Sequence, residues 1–250
     1  MRFAARVEYD GTDFSGYQVQ PGRRTVQGEF EAVLTRLSGG SRVRVDAAGR
    51  TDAGVHATGQ VIAFTLLRRI PARELARALD ALLPADVAVH AVRRVDAGFL
   101  PRYAARYREY RYTVWNGPRS PLRERTALGV RDPLDVSAMA EAAQVLVGRH
   151  DFSGFGGAHG QPIRTLQGIR VRRRGRTITI DVIGDAFLRQ MVRSIVAALL
   201  RVGRGESVAE DVAAALGSQR RAFAGAVAPP QGLCLRRVVL GRPDTSRNGR

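Results

Sequence analysis

The sequence contains no lysine: all 40 of its basic residues are arginine, set against 23 acidic residues. Because the chain is also rich in alanine, glycine and valine, this choice of arginine is typical of a GC-rich genome and says little about phosphate binding. The sign of the charge says more. A formal net charge of +17 favours a polyanionic partner, most simply a nucleic acid.

Residues for metal binding and disulfide chemistry are also scarce. Cys234 is the only cysteine, so no internal disulfide can form. His56, His90, His150 and His159 are scattered, without the spacing of a zinc site. No apolar run is long enough to span a bilayer, and the alternating N-terminus lacks the apolar segment of a signal peptide. We therefore expect a soluble, cytoplasmic protein without a metal or a membrane partner.

Hydrophobic periodicity predicts the same order of elements in both halves of the chain. Each half shows a strand, a helix, two strands, a helix and a final strand, which is the ferredoxin-like βαββαβ order. We expect an α+β fold with a first half over residues 1–104, a second over residues 105–241, and a frayed polar tail over residues 242–250. The long helix of the second half is predicted to begin with "AFLRQMVRSIV" and to carry Arg189 and Arg193 on one face.

The stretch "AAGRTDAGVHATGQV", residues 47–61, connects the second and third predicted strands. Glycines and an aspartate suit a turn, and that structural interpretation would suffice for "TDAG" alone. Asp52, however, lies at the exposed tip, with Arg50 two residues earlier and His56 four residues later. A nearby arginine keeps a carboxylate ionised, and an ionised carboxylate on a rigid turn can act as a nucleophile or a base.

The longer string "GRTDAGVHATGQV" closely resembles the signature of the tRNA pseudouridine synthase A family. Further segments are similar to the family: "YDGTDFSGYQVQ", "TVQGEFEAVL", "ARYREYRYTVWN", "GDAFLRQMVRSIV" and "GLCLRRV". The resemblance covers nearly the whole chain. It implies two ferredoxin-like halves joined into one pseudouridine-synthase architecture, with a central antiparallel sheet and a catalytic cleft.

The resemblance also implies a role for each candidate residue. Asp52 would be the catalytic nucleophile and Arg189 would pair with it, while Tyr110 would stack on the target uracil or pass a proton. Arg50 would contact the RNA backbone or help to expel a base, and His56 would bond within its loop or touch RNA. Leu235, with Leu233, would floor the pocket. Tyr17 stands where the family commonly has tryptophan, and would keep the stacking chemistry.

The implied reaction converts uridine to pseudouridine in the anticodon arm of tRNA, typically at positions 38 to 40, without a cofactor. The implied assembly is a homodimer. The first act of Asp52 remains open among attack at C1′, attack at C6 and removal of the 2′ proton. Two rival functions also remain: an RNA-binding module without catalysis, and a carboxylate-dependent nuclease, which would usually want paired acids or a metal.

Overall fold

The computed structural model describes residues 1–157, 161–218 and 227–241. Its helices and strands follow one another as β1 (Arg2–Tyr9), α1 (Val26–Leu37), β2 (Val45–Ala47), β3 (His56–Thr65), α2 (Ala72–Leu82), β4 (Val87–Val95), α3 (Pro101–Ala104), β5 (Ala105–Asn116), β6 (Leu128–Val130), α4 (Val136–Gln144), β7 (Gly148–Asp151), β8 (Ile163–Arg174), β9 (Thr177–Gly184), α5 (Met191–Gly203), α6 (Ala209–Ala214) and β10 (Leu233–Leu240). None of the helices within these ranges is long and apolar enough to cross a membrane.

The chain forms two compact units. Among the described residues, the first comprises Met1–Arg106 together with residues 235–241, and the second comprises residues 107–234 outside the two gaps. The last strand, β10, therefore begins in the second unit and contributes most of its length to the first. His159 and the tail over residues 242–250 lie outside the residues that the structure describes.

In the first unit the strands follow the order β4-β1-β3, with β2 and β10 also pairing with β3. β1 runs antiparallel to both β3 and β4, and β2 runs antiparallel to β3. Helix α1 begins where the Thr25 side chain accepts a hydrogen bond from the Gly28 backbone N–H, and it buries Phe30 and Leu34. The sequence order of this unit, β1-α1-β2-β3-α2-β4, is the predicted βαββαβ pattern.

In the second unit β9 lies between β5 and β8, and β7 pairs with the other side of β8, all antiparallel; the short β6 runs parallel to β5. One face of this sheet buries alternate residues of β9: Ile178, Ile180 and Val182. Helix α4 contacts β8 and α5 contacts α4. Gly175, with φ of +58°, makes the predicted turn between β8 and β9.

The prediction of an α+β fold built on antiparallel sheets is confirmed. The prediction for the long helix is wrong at its start. Helix α5 begins at Met191 and not five residues earlier, because Gln190 has a left-handed backbone (φ 64°, ψ 3°) that interrupts the helical path.

Candidate active site

Residues 48–55, here called the tip loop, connect β2 to β3 and carry Asp52. The two strands pair antiparallel, with Ala47 opposite Ile62. The Ala48 N–H continues the pairing by donating to the Val61 carbonyl (2.9 Å). The connection is therefore a hairpin, as the sequence predicted.

Buried side chains hold the residues just before Asp52. The Tyr9 and Thr51 hydroxyls share a hydrogen bond of 2.8 Å, and both residues are buried. Gln60 Nε2 donates to the Gly49 carbonyl (2.8 Å), and its Oε1 accepts from the Val61 N–H (3.1 Å). Gln60 is fully buried, so leaving its side-chain amide without these partners would be costly.

The chain after β1 holds the tip loop from a second side. The Tyr17 N–H donates to the Thr51 carbonyl (3.0 Å), and the Gly54 N–H donates to the Phe14 carbonyl (3.3 Å). At Gly11 the two segments approach so closely that an added Cβ would lie 2.0 Å from the Val55 carbonyl oxygen. Only glycine fits there, which gives "YDG" a structural reason.

His56 lies at the start of β3 and is buried to 8% exposure. Its Nδ1 accepts the Gly11 N–H at 3.1 Å, while Asp10 Oδ1 lies at the same distance. One nitrogen cannot accept from Gly11 and donate to Asp10 together. Since Asp10 Oδ1 already accepts from the N–H and hydroxyl of Thr12, we assign the Gly11 bond and place the ring proton on Nε2.

The side chains at the tip differ in exposure. Arg50 and Ala53 are exposed, Asp52 is half-buried, and Thr51 is buried. The backbone of Asp52 also takes part in the turn, because its carbonyl accepts from the Val55 N–H (3.2 Å). The Asp52 carboxylate thus lies within reach of solvent, while hydrogen bonds fix the backbone before and after Asp52.

Tyr17, expected to offer a stacking surface, is buried at 2% exposure and packs against Tyr9 with ring centroids 6.5 Å apart. Its hydroxyl has no hydrogen-bond partner among the described residues. Burial raises the pKa of this phenol well above its ordinary value. Tyr17 therefore belongs to the core beneath the tip loop.

In the second unit Tyr110 lies on β5 and is 8% exposed. The edge of its ring meets Phe187, with centroids 5.1 Å apart and planes at 82°. Phe187 fits because residue 184 is a glycine: a Cβ there would lie 2.7 Å from the Phe187 ring. Edge-to-face pairs of this kind fix both rings.

Arg189 is exposed and lies in a turn before α5, not on the helix. The prediction that Arg189 and Arg193 share a helix face is therefore wrong, because Gln190 breaks the helical path between them. The Arg189 carbonyl accepts from the Gly157 N–H (3.2 Å), and the Leu188 carbonyl from the Met191 N–H (3.1 Å). Arg193, inside the helix, donates from Nε to the Ala228 carbonyl (2.7 Å).

Leu235 is fully buried on β10, in the first unit. Arg50, Asp52 and His56 lie in the same unit, whereas Tyr110 and Arg189 lie in the second. The first unit also has a concavity of about 390 Å³, and none of the candidate residues lines it. Its lining residues are Arg2, Arg42, Val43, Arg44, Asp46 and Thr65.

Within residues 1–157, 161–218 and 227–241 no group of three or more His, Cys, Asp or Glu side chains could hold a metal ion. The residues that sequence reasoning missed are Tyr9, Gly11, Gln60 and Gln190. Gln60 did leave a signal, because a glutamine inside the apolar run "GQVIAF" must find partners when buried.

Comparison with known proteins decides the family. Residues 5–104 and 142–239 match the tRNA pseudouridine synthase family. This chain belongs to that family. The predicted enzyme class, a tRNA pseudouridine synthase and hence an isomerase, is confirmed at the level of the family.

Whole-length relatives agree with this membership. The tRNA pseudouridine synthase A of Halalkalibacterium halodurans is 44% identical over 93% of this chain and 90% of its own length. That of Geobacillus kaustophilus is 43% identical over 95% of this chain and 93% of its own. That of Myxococcus xanthus is 46% identical over 99% of this chain and 96% of its own.

Proposed function

We propose that this chain isomerises uridine to pseudouridine in tRNA, with Asp52 as the nucleophile. Family membership supports the reaction. The observation that carries the residue assignment is the tip loop, where buried bonds fix Gly49 and Thr51 while Asp52 keeps access to solvent. A rigid backbone under a reachable carboxylate is what an aimed nucleophile requires.

The chemistry balances without an outside reactant. The C1′–N1 bond breaks, the uracil turns, and C5 bonds to C1′. C5 gives up its proton to a base, and N1 takes up a proton, so the product is an isomer of the substrate. The target nucleotide must leave its stack before Asp52 can reach it.

Asp52 has three possible first acts: attack at C1′, attack at C6, or removal of the 2′ proton. All three need an ionised carboxylate. We assign to Arg189 the task of keeping the carboxylate ionised, because Arg189 would pair with Asp52 and orient it. The exposed guanidinium of Arg189, on a turn fixed by backbone bonds, supports the assignment.

The remaining candidates bind substrate in this proposal. Tyr110 presents a ring already oriented by Phe187, which suits stacking on the uracil. Arg50 is exposed and suits a phosphate contact. His56 bonds to Gly11 of the segment after β1, which supports a structural role at the base of the tip loop rather than an RNA contact. The full burial of Leu235 supports a place beneath the pocket.

The decisive experiment measures tritium release from tRNA transcripts labelled at uridine C5, because bonding at C5 expels that hydrogen. We expect release with the wild type and none with Asp52→Asn, whose side chain keeps the size but loses the charge. Arg189→Ala should lower the rate more than the affinity. Binding of tRNA without any release by a folded wild type would favour the module without catalysis.

The finer assignments extend this proposal. We place the reacting uridines in the anticodon arm, at positions 38 to 40, and transcripts labelled at one of these positions at a time test that placement. We also infer a homodimer, to be checked by sedimentation, and a cytoplasmic location, which suits an enzyme that meets tRNA.

A further inference from the structure

Three arginines follow one another at every second position of β8: Arg170, Arg172 and Arg174, here called the arginine row. All three are exposed, and none of their side chains makes a hydrogen bond or ion pair within the described part of the chain. Alternate residues of a strand point to one face, so the row lies on one side of the sheet at intervals of about 7 Å.

The register shows which face this is. Arg170, Arg172 and Arg174 stand opposite Asp181, Thr179 and Thr177 of β9. The buried residues Ile178, Ile180 and Val182 alternate with these three and point to the other face. The arginine row therefore lies on the polar face, opposite the side that α4 covers.

Acids on that face are already engaged. Asp181 receives Arg111 in two bonds, from Nε to Oδ1 (2.6 Å) and from Nη2 to Oδ2 (3.0 Å). Glu109 also lies on this face, opposite Ile183 and beyond Asp181, and it has a partner of its own. These acids therefore do not neutralise the three charges of the arginine row. Arg172 and Arg174 each lie opposite a threonine of β9.

We propose that the arginine row binds the sugar–phosphate backbone of the RNA substrate, at nucleotides other than the one that reacts. A nucleic-acid strand offers one phosphate per nucleotide, and guanidinium groups bind phosphate oxygens through paired N–H donors. The threonine hydroxyls of β9 add neutral donors of the kind that contact phosphates. The proposal rests on the proposed function for its choice of RNA.

A second copy of the chain suits this face poorly. A two-fold contact would bring the same patch to itself, and the three arginines of one copy would meet the three of the other. Repulsion of that kind opposes self-association. RNA supplies the opposite charge at a regular interval.

The test measures the salt dependence of binding to a tRNA transcript by fluorescence anisotropy. The triple variant Arg170→Gln, Arg172→Gln, Arg174→Gln should bind at least tenfold more weakly at low salt. Its plot of log affinity against log salt should be shallower by about 2 to 3, because each lost phosphate contact removes about 0.7 to 1 from the slope.

Two matched variants sharpen the reading. The Lys triple at the same positions keeps the charge and should keep the slope. Arg69→Gln, Arg73→Gln, Arg77→Gln removes equal charge from three other exposed arginines, whose side chains have no partner among the described residues, and should change the slope by less than 1. Circular dichroism of each variant establishes that it is folded.

Three outcomes would overturn the proposal. The Gln triple could match the control triple, the Lys triple could lose the slope as well, or the Gln triple could change the mass seen in sedimentation, which would make the face an interface between copies. Tritium release by the wild type is measured in parallel. If the wild type releases tritium but the Gln triple keeps the wild-type salt slope, the role of the arginine row is wrong and the proposed reaction stands. If the wild type releases no tritium but the Gln triple has a shallower slope, the proposed reaction is wrong and the arginine row still binds RNA.

Discussion

The tip loop of the first unit and the turn that carries Arg189 in the second unit fix a charged candidate residue in different ways. The tip loop is held on one side by the buried side chains of Tyr9 and Gln60, and on the other by backbone bonds to the segment after β1. The turn relies on backbone bonds and on the left-handed conformation of Gln190. The tip loop depends on hydrogen-bond partners, whereas the turn depends on one strained residue, Gln190. The two should therefore respond to different substitutions.

The largest expected effect concerns the close approach at Gly11. Gly11→Ala places a Cβ against the Val55 carbonyl, so the segment after β1 must move away from the tip loop. We expect the free energy of unfolding to fall by about 3 kcal/mol, measured by urea denaturation. Tritium release should fall with it, because the support on one side of Asp52 is displaced.

Gly98→Ala is the matched control, since nothing lies within 4 Å of its added Cβ and its backbone is not left-handed. We expect a change below about 0.5 kcal/mol. Equal stability of the Gly11 and Gly98 variants would contradict the close approach.

Two buried tyrosines beneath the tip loop give the next contrast. Tyr9→Phe removes the partner of the Thr51 hydroxyl and should cost about 1 to 2 kcal/mol. Tyr17→Phe removes a hydroxyl without a partner among the described residues, so it should leave stability unchanged or raise it by up to about 1 kcal/mol. A cycle of Tyr9→Phe with Thr51→Val should show coupling, and additive effects would refute the bond.

Alkaline pH gives a second test of the buried Tyr17 hydroxyl. Burial raises the pKa of Tyr17 above its ordinary 10.0, so the unfolded chain ionises near pH 10 while the folded chain does not. Stability should therefore be intact below pH 10 and decline as the pH rises beyond it. The decline should be shallower in Tyr17→Phe than in the wild type. Burial also raises the pKa of Tyr112, which contributes equally to both proteins.

The smallest effect belongs to the turn before α5. Gln190→Gly and Gln190→Ala both remove the side chain, but only glycine adopts φ of 64° without steric cost. The glycine variant should be about 1 kcal/mol more stable than the alanine variant in urea denaturation. If tritium release requires the turn, the glycine variant should also keep more activity. Equal stability would argue against the left-handed conformation.

The same contrast explains what the sequence could predict. Glycines punctuate the tip loop, and alternation marks the strands on both sides, so the hairpin and Asp52 could be placed from local pattern. The turn before α5 has no glycine or proline, and its residues continue a helical pattern. Nothing in "FLRQMVR" announces that Gln190 is left-handed. The stacking role predicted for Tyr17 was wrong for another reason: tertiary packing, and not residue type, decides whether a tyrosine is buried.

The place of β10 has a consequence for how the chain is made. Thr58 Oγ1 donates to the Arg236 carbonyl across 178 positions of sequence, and the bare Cα of Gly59 lies against the same backbone. While the ribosome is still extending the chain, β2 can already cover this flank of β3 at Ile62–Phe64, but the stretch around Thr58 and Gly59 still lacks β10 and presents open backbone donors and acceptors. Such distant closure is slow. We therefore expect the amides of β3 that face β10 to gain protection late in pulsed hydrogen exchange, after those that face β1.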